Sequence, residues 1–154
     1  MKTRILVGLL VGLVAIQLFH PERNNGSVAG PNFIGAKKPV PANVAKVLQR
    51  ACYDCHSNYT VYPWYANVQP VAWWLAHHVN DGKRHFNLSE FTTYTNKRAA
   101  HKLEDVVNEL KEGGMPLPSY TWAHPEARLS EADKQLLIEW AQDMRKLYPA
   151  EPAK

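Results

Sequence analysis

The chain holds two cysteines only, three positions apart, and a histidine follows them at once: Cys52-Tyr-Asp-Cys55-His56. Three chemistries use such a set. A redox dithiol pair opens a helix just after a strand, within an alternating strand–helix pattern. Here a helical pattern runs into the pair and no strand pattern precedes it. A structural zinc site needs two more ligands at regular spacing. No second C-x-x-C and no H-x-x-x-H is present, and His56 adjoins Cys55 too closely to share one metal with both thiolates. Covalent attachment of haem c uses every residue. Two thiols add to the two porphyrin vinyl groups as thioethers, and the two-residue spacer sets their separation. The next residue must be His, because its imidazole then lies under the iron. The expectation is therefore one covalently attached haem c on Cys52 and Cys55, with His56 as axial ligand. The dithiol and zinc readings remain as rivals.

Iron in such a site takes a second axial group unless one face stays open. Met115, in "EGGMPLP", lies 59 residues after His56. Gly113 and Gly114 carry no side chains, so backbone can approach a porphyrin closely there, and Pro116 and Pro118 stiffen the loop beyond Met115. A neutral thioether stabilises ferrous iron and raises the reduction potential. Met115 is the expected sixth ligand, against the reading that it is one more apolar loop residue. His77, His78, His85, His101 and His124 are the other candidates, and most read as solvated or hydrogen-bonded bystanders. His78 is the choice if ligation is bis-histidine. Trp64, Trp73 and Trp74 read either as core or as packing at a haem edge, where an indole N–H or Tyr59 meets a propionate. Lys83 and Arg84 read as propionate partners or as a solvated pair. Asn25, Asn58 and Asn87 begin N-x-S/T triplets to which no function is attached.

The elements that carry these residues read as helices. Pro41 suits a first helical position, and Val44, Val47, Leu48 and Ala51 share one face. A helix is therefore predicted from about 42 into the cysteine motif. Residues 57–69 read as an irregular loop. Pro70 opens a helix that Gly82 stops. Thr95 caps a helix over 96–112 with a stripe of Leu103, Val106, Val107 and Leu110, and Gly113 ends it. "MPLPSYTWAHPEA" has three prolines and is not expected to be helical. Ser130 and Asp133 resemble a capping box before a last helix, about 131–147, that buries Leu136, Leu137, Trp140, Met144 and Leu147. No sustained two-residue alternation and no repeat occurs. The fold class is all-α, with about four helices and long ordered loops after an N-terminal hydrophobic helix.

That N-terminal part reads as a targeting segment. "MKTR" is a short positive region, and Ile5–Phe19 is uncharged and almost wholly apolar. Fifteen residues fall below the roughly 17–25 of a spanning helix and match a signal peptide. No small-x-small site comes directly after, so an uncleaved signal anchor is favoured. Residues 1–20 are then the anchor or signal, with the body in the periplasm on the outer face of the inner membrane. The alternative is a soluble periplasmic protein after cleavage. Residues 21–40, rich in Pro, Gly and Asn, read as a flexible tether. The haem-binding domain is expected over 41–148 and a tail over 149–154.

Length and charge narrow the function further. A chain of 154 residues allows one domain with one modest core. Of 18 Lys and Arg, Lys2 and Arg4 sit at the extreme N-terminus, and the rest nearly balance 14 Asp and Glu. There is no basic stripe, so nucleic acid is not an expected partner. Two haem propionates bring the body close to neutral.

The pattern resembles the class I cytochrome c plan: a helix ending in CxxCH, a Met-Pro loop and a C-terminal amphipathic helix. It resembles more narrowly the bacterial haem-binding-domain family of short c-type proteins. That likeness is carried by "ACYDCHSNYTVYPWY", "VQPVAWWLAHHVNDGKRHFNLSEF", "MPLPSY" and the closing helix, over about residues 40–147. The resemblance implies one covalent haem c with Cys52, Cys55 and His56 in their usual roles. The expected function is that of a monohaem c-type cytochrome that passes electrons to a redox partner protein, as a monomer. The alternative is a haem-based sensor or gas-binding module with an open or displaceable sixth position. An enzyme such as a peroxidase is not indicated.

Overall fold

The computed structural model describes residues 1–149. Seven α-helices appear in it: α1 (Lys2–Ile16), α2 (Ala42–Ala51), α3 (Tyr53–His56), α4 (Val71–His85), α5 (Asn96–Glu112), α6 (Pro118–Ala123) and α7 (Glu131–Arg145). Among the described residues there is no β-strand, only a single bridge between Asn25 and Tyr59. The fold is all-α as expected. The count differs because two short helices, α3 and α6, join the four long ones of the body.

The caps form where the residue chemistry calls for them. Thr95 accepts from the Arg98 N–H, and Gly113 closes α5 at φ 73°, a left-handed conformation that only glycine adopts freely. Ser130 and Asp133 form a reciprocal capping box at the start of α7. Two punctuation marks act differently. Gly82 does not stop α4, which runs on to His85. Pro118 does not prevent a helix but begins one, because the first helical position needs no N–H.

The core forms where α5 lies along α7 and α2 packs across α7. Val44, Val47, Leu48, Leu103, Leu110, Leu137, Trp140 and Met144 meet there, all buried. Leu136 is only partly buried and Leu147 is exposed. Arg50 of α2 pairs with Asp133 at the head of α7 at 2.6 Å.

Residues 21–40 do not hang free as a tether does. Ile34 is fully buried. Asn24 donates from Nδ2 to the Ser57 carbonyl and the Thr60 hydroxyl, both at 2.9 Å. The Ser89 hydroxyl donates to the Val28 carbonyl at 2.7 Å. Composition signals backbone freedom in this stretch, but its asparagines find partners on the body.

The expected inner-membrane anchor, and with it the periplasmic placement of the body, is not upheld. No helix among the described residues is long and apolar enough to cross a membrane. The 15 residues of α1 rise about 22 Å, short of a hydrocarbon core of about 30 Å. The reason lies at Gln17. Its side-chain amide donates to the Leu13 and Gln69 carbonyls at 3.0 and 3.2 Å and accepts from the Gln69 N–H at 2.9 Å. The helix closes there and its end is fastened to the start of α4. Of the tail expected over 149–154, residues 150–154 lie outside the described part.

Candidate haem site

The C-x-x-C-H residues occupy one tight turn. α2 ends at Ala51, the chain kinks at Cys52 (φ −129°, ψ −39°), and α3 carries Cys55 and His56. Both cysteines are free thiols. Burial, then Cys55 beside it, pushes the Cys52 thiol up to about 12; burial, then Asp54, pushes Cys55 up to about 11. A redox dithiol needs the opposite shift, toward thiolate. Among the described residues no three His, Cys, Asp or Glu side chains gather as metal ligands, which leaves a zinc site short of its set.

His56 is held by α4. Its Nδ1 lies 3.0 Å from the Gly82 carbonyl oxygen and 2.9 Å from that of Phe86. Carbonyls only accept, so Nδ1 carries the proton and Nε2 keeps its lone pair. Burial lowers the His56 pKa, which favours this neutral form, although the two carbonyls work against the shift. A neutral imidazole fixed by a backbone hydrogen bond and free at Nε2 is the form that ligates a metal. The approach of α4 to the turn depends on Gly82. A Cβ there would lie 2.5 Å from the Cys55 carbonyl oxygen and 3.0 Å from its Cβ.

Beside this turn opens a cavity of about 450 Å³ with almost wholly apolar walls. Asp54 and Cys55 border it, α4 lends Trp74, Leu75 and His78, and α6 lends Tyr120 and Trp122. Its size suits a cofactor. α6 is fastened over the turn by the Tyr120 hydroxyl, which donates to Asp54 at 2.7 Å across 66 positions of sequence. Burial first, and this bond second, raise the Tyr120 pKa.

The expected residues are not all gathered there. Cys55 and His78 line the cavity; Cys52 and His56 share its bordering turn without lining it; Met115 is absent from the lining, though Leu117, two positions on, is part of it. Met115 is half-buried. His78 donates from Nδ1 to the Trp74 carbonyl at 3.0 Å and lies 4.2 Å from the Trp74 ring, and its Nε2 has no hydrogen-bond partner among the described residues. His124, another of the candidate histidines, also lines the cavity. Both its nitrogens are engaged, Nε2 with the Tyr65 hydroxyl at 3.0 Å and Nδ1 with Glu126 at 3.3 Å. His77 and His101 face Asp81 and Asp105 on their own helices. Sequence reasoning missed Asp54, Tyr120 and the second use of Gly82. A carboxylate inside the C-x-x-C spacer was the one available signal, since a group held so close to a buried turn needs a partner.

Free thiols, a neutral imidazole with an available nitrogen and a neighbouring apolar cavity fit a haem. No curated protein matches the chain, and no solved structure does. A family model described as a haem-binding domain matches residues 11–143, most of the length, and the chain therefore belongs to the haem-binding-domain family.

Proposed function

We propose that the protein is a monohaem c-type cytochrome that passes single electrons to a protein partner. The observation that carries this reading is His56, on the same turn as two free thiols and pinned at Nδ1 by the Gly82 and Phe86 carbonyls. Bound haem supplies a one-electron couple. Cys52 and Cys55 hold it as thioethers, and His56 ligates through Nε2. The apolar walls of α4 and α6 keep water from the ring, and the Tyr120–Asp54 bond keeps α6 in position. Met115 is the sixth ligand in this proposal, on the loop that leads directly into α6. The helix into CxxCH, the Met-Pro loop and α7 come in the order of a class I cytochrome c.

A second reading of the sixth position has its own support. His78 lines the cavity, and its Nε2 has no hydrogen-bond partner among the described residues, as a bis-histidine site requires.

The test is to produce the holoprotein in a host that matures c-type haem and then denature it. The colour is expected to stay with the polypeptide in acidified organic solvent, and the mass to exceed that of the bare chain by one haem. Colour released into the solvent, with the chain at its bare mass, would refute the c-type reading. Carbon monoxide added to the reduced protein should bind slowly or not at all. Rapid uptake would favour the gas-binding module.

A further inference from the structure

A second cavity of about 450 Å³ adjoins the first and shares Tyr62 and Val79 with it as a common wall. Its character is opposite. Arg23, Asn24, Asn25, Asn58, Asn80 and Lys83 border it. Two of these are cations with neutral partners. Lys83 Nζ donates to Asn24 Oδ1 at 2.6 Å. Arg23 donates to Asn67 Oδ1 and places its guanidinium 4.9 Å from the Tyr62 ring centre. Among the described residues neither forms an ion pair, whereas Arg50, Arg84, Lys102, Lys134, Arg145 and Lys146 all do. One exposed carboxylate, Glu22, borders the same space, so its fixed charge is net positive.

Asn24 organises both cations. Its backbone N–H donates to the Tyr62 hydroxyl at 2.8 Å, its carbonyl accepts from the Thr60 N–H at 3.0 Å, and its side chain grips Ser57, Thr60 and Lys83. The residue next to Arg23 is thus tied to the loop beyond the C-x-x-C-H turn and to α4.

A haem is an apolar disc with two carboxylates on one edge. Burying a carboxylate without a partner is costly. The apolar cavity offers it no Lys or Arg, and Asp54 would repel it. The polar cavity across Tyr62 and Val79 offers two. We infer that this polar cavity seats the haem propionates, with Arg23 and Lys83 as their charge partners. The inference rests on the haem occupying the apolar cavity, and it gives residues of the supposed tether a part in binding.

The test uses the full-length holoprotein with Arg23→Met, Lys83→Met, the double substitution, and Lys97→Met as an exposed control outside both cavities. Removing positive charge beside the propionates favours ferric iron. The midpoint potential is therefore expected to fall in each single variant and further in the double one. The propionate bending bands of the resonance Raman spectrum should shift as well. Lys83→Arg should keep both near the wild-type values, and Lys97→Met should change neither. Unchanged potential and bands in the double variant, with haem still bound, would overturn the seat and leave the haem reading standing. A wild-type protein that carries no haem would overturn both. Should the double variant not accumulate, Arg23→Met alone decides the matter, since that side chain is exposed.

Discussion

His56 shows how much one hydrogen bond decides. With Nδ1–H shared between the Gly82 and Phe86 carbonyls, the ring can turn in only one way and keeps one nitrogen for a metal. His124 shows the converse: two engaged nitrogens leave nothing to offer. The same criterion separates the two candidates for the sixth position by experiment. If Met115 ligates, Met115→Ala abolishes the near-infrared thioether–iron band of the oxidised holoprotein and opens the site to carbon monoxide, while His78→Ala leaves both unchanged. If His78 ligates, the oxidised wild type lacks that band, and His78→Ala is the substitution that admits carbon monoxide. Near-infrared and visible spectra of the two variants check this directly.

α4 serves as the brace of the C-x-x-C-H turn. Placing a methyl group at Gly82 brings it within 2.5 Å of the Cys55 carbonyl oxygen, a backbone atom that cannot swing aside. Alanine gains about 1 kcal/mol of helix propensity, but overpacking costs about 1–3 kcal/mol, and here the obstacle is backbone. Gly82→Ala is expected to lower stability in urea unfolding and to shift the Soret band of the holoprotein, because α4 must back away from the turn and the carbonyl of residue 82 is itself a partner of His56. α7 depends on its cap. Ser130→Ala should cost about 1 kcal/mol. The hydroxyl and N–H of Ser130, followed by Arg50, hold Asp133 down at about 2 against an ordinary 3.8. Depression of an acid stabilises the fold above its unfolded pKa, and the gain disappears as pH falls from about 4 to 2. Ser130→Ala should flatten the stability curve over that window, as acid titration followed by circular dichroism would show.

The whole molecule is held together partly by residues that look like a linker. Ile34 is fully buried beside Phe91 and Leu88 in the same core, where the turn at Ile34–Ala36 packs on that at Leu88–Thr93. Ile34→Ala is expected to cost about 2–5 kcal/mol in chemical unfolding; a residue in a free tether would cost almost nothing. The N-terminal helix behaves differently. It buries none of its own residues, and its end is tied to the body by the Gln17–Gln69 pair and by the Phe19 carbonyl, which accepts from Gln69 Nε2 at 2.7 Å.

Features local to the chain were legible without coordinates. Helical periods reveal themselves at three- and four-residue spacing, as in Val44–Ala51 and Leu103–Leu110. Caps at Thr95, Gly113 and Ser130 act within one turn, and C-x-x-C-H is a contiguous chemical unit. The arrangement around the C-x-x-C-H turn was not legible. The carbonyls that orient His56 lie 26 and 30 positions away, and the phenol that satisfies Asp54 lies 66 away. The docking of residues 21–36, the polar cavity at Arg23 and Lys83, and the stop at Gln17 also depend on distant partners. Covalent spacing and helical period constrain only near neighbours; which distant groups meet is decided when the helices pack and every buried polar atom must find its partner.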